Sequence, residues 1–202
     1  MGREECGEFK ADDLMKITNI IHEYLDLMDR QREAMVKELA GINDAYLWDC
    51  PQSGGWCIGE ILDHTRVLNA SSLPILRLAW FIGRGLAGVR RGKPYAVEID
   101  DVYRRPDFPM NSGWMWPPKY SPRQPAGLAD LSRSLAQVHA QYRTFYALKN
   151  PDILGHITFF DPAIGRLNLI QALRVGLYHD QLHFEDALRL ADEIKTHTSP
   201  VA

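Results

Sequence analysis

The sequence predicts an all-α protein, a bundle of four helices with a long irregular crossover between the second and third. Three observations lead there. Apolar residues recur at three- and four-residue steps in four separate segments, the spacing of one face of an α-helix. No segment alternates with period two for long enough to support a sheet. The chain has 202 residues, 46% of them hydrophobic, enough for one good core and too little for two large domains. Residues 1–202 are therefore expected to form a single domain.

The first helix is expected over Ala11 to Ala40. Leu14, Ile17, Ile21, Leu25 and Met28 form its apolar face, and Gly41 stands where such a helix stops. The second begins near Trp56. Cys57 and Glu60 have the N-cap and N3 spacing of a capping box, with cysteine in the place of the usual serine or threonine, and Trp56 and Ile61 can staple it. Ile58, Ile61, Leu62 and Leu68 face inward, Pro74 can kink the helix, and the pattern fades near Gly83. The third runs from Leu128 to Leu148 on a stripe of Leu131, Leu135, Val138, Tyr142 and Phe145, and Asn150-Pro151 ends it. The fourth starts at Asn168, with Gln171 as reciprocal cap, and continues to about Ile194.

Between the second and third helices, residues 84–126 carry most of the chain's prolines together with Tyr95, Tyr103, Phe108, Trp114, Trp116 and Tyr120. Irregular stretches of this length are uncommon in compact domains and tend to be functional, and the aromatic content argues against disorder. The stretch can also travel the length of a bundle, so the helices it joins can run parallel.

A net charge of −3 with scattered basic residues provides no electrostatic footprint for nucleic acid. The longest apolar run, Leu73 to Ile82, is interrupted by Pro74 and Arg77 and is too short to span a membrane. Met1 to Phe9 carry acids and no apolar core, so no secretory leader is expected. The three cysteines Cys6, Cys50 and Cys57 are an odd count without CxxC spacing, which fits a reducing cytoplasm.

The run Tyr178-His179-Asp180-Gln181-Leu182-His183 carries the chemistry. Two histidines four apart on a helix share a face, one turn above the other, so both rings can reach one ion. Spacing alone is equally compatible with two unliganded histidines. A metalloprotease reading is poor, because Asp180 stands where HExxH has glutamate and His197 sits in a polar tail with no helix to hold it as a third ligand. His22 and His139 lie near core stripes and read as surface or hydrogen-bonded core residues, and His156, after Gly155, reads as loop surface.

Two further stretches resemble a known family. Gly55-Trp56-Cys57-Ile58-Gly59-Glu60-Ile61-Leu62-Asp63-His64 is similar to the WSxGExxxH opening of the second helix in the DinB-like superfamily. Asp161-Pro162-Ala163-Ile164-Gly165-Arg166-Leu167-Asn168-Leu169-Ile170-Gln171 is similar to the HPxxGxLNLxQ lead into its last helix, and Tyr178 to His183 matches the YHxxxH run that follows. The motifs occur in the right order and helical contexts, and the resemblance covers nearly the whole chain. Cys57 and Asp161 depart from the family's usual serine and histidine. The second departure puts a substrate contact in doubt and leaves the histidine set intact.

The resemblance implies a four-helix bundle of up-down-down-up arrangement. It implies that His64, from the second helix, and His179 and His183, from the fourth, hold one divalent ion, with positions open for water or substrate. Three imidazoles suit Zn²⁺, Ni²⁺ or Fe²⁺, and a three-ligand site is the catalytic rather than the structural pattern. It further implies a metal-dependent transferase or hydrolase acting on a small molecule, with a low-molecular-weight thiol such as bacillithiol, mycothiol or glutathione as co-substrate, and a homodimer. The metal would act as a Lewis acid on nucleophile or electrophile. The competing expectation is a stress-linked, non-catalytic bundle that binds a small molecule or partner. Glu60 either caps its helix or orients His64. Trp114 and Trp116 either wall a substrate pocket or cover an apolar flank. Arg104, Arg105, Lys119 and Arg123 are candidates to select an acidic co-substrate.

Overall fold

The computed structural model describes residues 11–52, 54–108 and 115–198. The chain is mostly helical. Four long helices, α1 (Ala11–Leu39), α2 (Ile58–Gly88), α3 (Leu128–Ala147) and α5 (Leu169–Thr198), carry the core, and a short α4 (Pro151–His156) precedes a hairpin of β1 (Thr158–Asp161) and β2 (Gly165–Asn168). Two 3-10 turns, Asp44–Trp48 and Val102–Arg104, punctuate the connections. No helix is long and apolar enough to cross a membrane among the described residues.

The apolar stripes meet in two layers. In one, Ile21, Leu25 and Met28 of α1 pack with Leu73 and Leu76 of α2, Tyr142 and Phe145 of α3, and Leu169 and Leu173 of α5. In the other, Met35 and Leu39 of α1 pack with Ile58 and Leu62 of α2, Leu131 and Leu135 of α3, and Phe184 and Ala187 of α5. The first half of α1 and of α5 thus shares a layer with the second half of α2 and of α3. Each fully buried Leu, Ile or Met contributes about 1.5–3 kcal/mol relative to exposure.

Local signals set the boundaries. Asn168 Oδ1 accepts from the backbone N–H of Ile170 (3.0 Å) and Gln171 (2.9 Å), while Gln171 Oε1 accepts from Asn168 N (3.1 Å), the reciprocal cap the sequence predicts. At α2, Glu60 Oε2 accepts from Cys57 N (3.1 Å). The helix then runs through Pro74 and ends five residues beyond Gly83, at Gly88. The irregular stretch consequently starts later than expected. α5 likewise extends past Ile194 to Thr198, so His197 is helical rather than in a loose tail.

Two features depart from expectation. The pair Asn150-Pro151 ends α3 and also starts α4: Asn150 Oδ1 accepts from Asp152 N and Ile153 N, and Pro151 occupies the first turn, where its missing N–H costs nothing. The hairpin pairs Thr158 with Asn168 and Asp161 with Gly165. Its strands have four residues each, too few for a period-two pattern to register, and Gly165, at φ +99°, takes the left-handed conformation at its turn.

The crossover is tied to the helices by side chains reaching its backbone. Asn168 Nδ2 donates to Ala96 O (2.6 Å), Gln171 Nε2 to Glu98 O (3.1 Å) and Tyr178 Oη to Ile99 O (3.2 Å). Farther on, Asp63 of α2, fully buried, accepts from the backbone N–H of Lys119 and of Tyr120. The crossover therefore runs along α5 and returns onto α2, across the face where their histidines project.

Candidate metal centre

His64 lies at the end of the second turn of α2, and His179 and His183 lie one turn apart on the facing side of α5. Their ring centroids are 5.3 Å (His64 to His179), 4.8 Å (His64 to His183) and 4.4 Å (His179 to His183) apart. One ring nitrogen from each lies within 4.8 Å of the others. Two helices thus bring together the three side chains named from the sequence.

Hydrogen bonding assigns one ring directly. His64 Nδ1 is 2.7 Å from Trp116 O, a carbonyl that can only accept, so Nδ1 carries the proton and Nε2 keeps a free lone pair. A backbone partner that fixes tautomer and ring plane is the usual support of a metal-binding histidine. On His179 and His183, Nδ1 is buried without a hydrogen-bond partner. Burial with no partner is costly unless something else satisfies the ring. The donor set fits a borderline divalent cation, because it is all imidazole and short of a fourth ligand.

The electrostatics keep the rings of His64 and His183 neutral. Burial, reinforced by the neighbouring His179, pushes His64 down to about 4 despite the Trp116 carbonyl. Burial, with His179 and His64 close by, pushes His183 down to about 2. Ordinary histidine titrates near 6.5, so from pH 6.5 down to about 4 the unfolded chain binds a proton that folded His64 refuses. Stability of the metal-free chain therefore falls on acidification through that window. His64 alone is expected to remove about 3 kcal/mol between pH 7 and pH 4. Urea titrations of the parent and of His64→Gln at both values check this, and identical pH dependences would show that the ring is not held in a dry site.

Behind the rings lies a buried polar chain that no spacing in the sequence announces. Asp180, fully buried, accepts from Asn69 Nδ2 at Oδ1 (2.7 Å), and its Oδ1 is 3.7 Å from His179 Nδ1. Its Oδ2 stands 3.1 Å from His139 Nε2. On the far side, Arg32 Nη1 can only donate, so His139 Nδ1 accepts (3.1 Å) and the His139 proton sits on Nε2, facing Asp180. Burial would raise Asp180, yet the contacts from His139 and His179 outweigh it and hold the carboxyl below the usual range. His139 is thus the hydrogen-bonded core histidine of the expectation. His22 is exposed. His156 departs from expectation: instead of loop surface it lies in α4 with a side chain only 6% exposed, 3.3 Å from Asp152.

The three histidines form part of the wall of a cavity of about 520 Å³. Its other walls are largely apolar, including Leu68, Ile75, Phe108, Trp116, Phe159 and Val175. Trp56 lies against the rings, 4.5 Å from His64 and 6.4 Å from His183 between centroids. Trp116 both lines the cavity and holds His64 through its carbonyl, a backbone role no side-chain pattern could disclose. Trp114 lies outside the described residues. Asp161 borders the cavity, but its Oδ1 accepts from Ala163 N (2.8 Å) and Ile164 N (3.0 Å), which is the work of a turn. Glu60 is occupied at the cap and does not join the histidines. Among the described residues no lysine or arginine lines the cavity. Arg104 pairs with Asp101, and Lys119, Arg105 and Arg123 lie elsewhere.

Comparison with known proteins agrees with the motifs. A family model described as the DinB superfamily matches residues 27–187, a span that includes all three histidines, the whole of α2 and α3, and parts of α1 and α5. No curated protein and no solved structure gives a match. With a match over that much of its length, the chain belongs to the DinB superfamily.

Proposed function

We infer that this protein is a metal-dependent enzyme, of thiol S-transferase or hydrolase type, in which His64, His179 and His183 hold one divalent ion, Zn²⁺, Ni²⁺ or Fe²⁺. The observation that carries the reading is the meeting of three imidazole donors from two helices on the wall of an apolar cavity. Bound there, the ion supplies Lewis acidity. The chain's own residues do the rest. Trp116 O orients His64, Asp180 stands behind His179, and the apolar wall excludes water from a small substrate. A cation-free wall suits an uncharged substrate, and the carboxylates of a co-substrate such as glutathione or bacillithiol would have to remain at the mouth. An up-down-down-up four-helix bundle forming one domain belongs to the same reading, supported by the sharing of core layers between opposite halves of α1 and α2. So does a cytoplasmic location, supported by the free thiols of Cys50 and Cys57.

The competing reading, a non-catalytic bundle that binds a small molecule, is favoured by Asp161, which is committed to its turn where the family's usual residue is histidine. The experiment is a screen of untagged, metal-loaded protein against thiols with an alkylating electrophile, and against esters, with chelated protein as control. Turnover that disappears on chelation supports the enzyme. Stoichiometric metal without turnover of any pair leaves the binder, and no metal defeats the enzyme reading.

A homodimer is part of the proposal. Ile75, Leu78, Ile82 and Leu86 of α2 and Val89 at its C-cap, each more than half exposed, recur at three- and four-residue steps, a seam that a second copy would cover. Ile82→Glu is expected to convert a dimer to a monomer in sedimentation experiments without loss of helicity. A parent chain that sediments as a monomer at tens of micromolar would end this part of the reading.

A further inference from the structure

Away from the histidines, two thiols and a carboxylate meet where the Asp44–Trp48 turn leads into α2. Cys50 Sγ stands 3.8 Å and Cys57 Sγ 3.4 Å from the same Glu60 Oε2. Those three atoms lie within 4.8 Å of one another. Both thiols are free, Cys50 exposed and Cys57 buried. The chain between them has no helix or strand at its described residues, and it bends through Gly54 and Gly55 at φ +86° and +105°. No regular structure has to break for the sulfurs to close to the roughly 2.05 Å of a bond.

We propose that Cys50 and Cys57 form a redox-active dithiol that closes to a disulfide when the exposed Cys50 meets a hydroperoxide. Cys50, as the thiolate, attacks a peroxide oxygen. The O–O bond breaks, the alcohol (water, for hydrogen peroxide) leaves with the thiol proton, and Cys50 becomes a sulfenic acid. Cys57 gives its proton to Glu60 and attacks the Cys50 sulfur. The S–S bond forms, the S–O bond breaks, and the departing hydroxide takes the proton from Glu60 to leave as water. Two thiols and one hydroperoxide become one disulfide, one alcohol and one water.

Exposure assigns Cys50 as the first to react and Cys57 as the resolving partner. Burial, with Glu60 and Cys50 alongside, also pushes the Cys57 thiol up to about 12, so it is a poor first nucleophile. The bond has a consequence for the cavity. Trp56 precedes Cys57 and lies on His64, so restraining Cys57 restrains an aromatic wall of the candidate metal centre. The pair itself needs no metal at the histidines, and its test is independent of that reading.

The test uses the full chain as purified, reduced, then exposed to excess hydrogen peroxide and alkylated. Of the chain's three thiols, one is expected to remain alkylatable, with the intact mass lower by two hydrogens before alkylation. Chymotryptic cleavage after Trp56 is expected to leave the Cys50 and Cys57 peptides joined until they are reduced. Cys57→Ser keeps a favoured N-cap residue and should fold. It is expected to stop at a Cys50 sulfenic acid that dimedone traps, whereas Cys50→Ser leaves Cys57 reduced. The proposal is overturned if all three thiols survive, if the bond involves Cys6 or a second chain, or if parent Cys50 passes on to sulfinic acid.

Discussion

A His179→Ala chain purified without a histidine tag is expected to carry almost no divalent metal, where the parent carries about one equivalent per chain. The three rings form a nearly even triangle, that of His179 lying 4.4 Å from His183 and 5.3 Å from His64, so losing it leaves two donors on different helices. The thermal consequence follows from mass action. At a free metal concentration 100 times the dissociation constant, binding stabilises the parent by about 2.7 kcal/mol, which for a chain of this size raises Tm by roughly 5–10 °C. The variant should show no metal-dependent shift. Because each protein is compared with itself, with and without metal, any general destabilisation by the substitution cancels. Equal metal content in parent and variant by elemental analysis would remove the basis of the proposed function.

Asp180→Ala is expected to lower unfolding stability by about 3–5 kcal/mol, the cost of stranding buried partners of a charge. The carboxylate is fully buried and receives Asn69, while His139 and, behind it, Arg32 are arranged around it. Removing it leaves an amide and an imidazole facing one another without an acceptor. Asp180→Asn keeps shape and loses charge, and is expected to recover only part of the loss. Urea unfolding of the metal-free forms measures this directly. A loss under about 1 kcal/mol for Asp180→Ala would mean that water already serves these groups. If Asp180 also orients His179, both variants should weaken metal binding by about 10- to 100-fold, the usual effect of removing an outer partner of a ligand.

The helices were readable because their signals are local. Cys57 and Glu60 at α2, and Asn168 and Gln171 at α5, lie within one turn of the N–H groups they serve. The apolar stripes repeat every turn, so Leu131, Leu135 and Phe145 mark the buried side of α3 before anything packs on it. The hairpin escaped because four-residue strands carry too little pattern. α4 is hidden because Asn150-Pro151 signals the end of one helix while the same pair also starts another.

The candidate site divides in the same way. His179 and His183 share a face by helical period alone, and only the resemblance to a family joins His64 to them. The sequence by itself determined the helices, the inward sides and the pairing of His179 with His183, because spacing along one helix dictates which side chains stand together. Tertiary structure alone decided that α2 and α5 face each other with the rings within reach, that Trp116 lends a carbonyl 52 residues away from His64, and that Asp180, His139 and Arg32 line up across three helices. Those contacts depend on how separate helices rotate and dock, and the packing of whole faces sets that rotation.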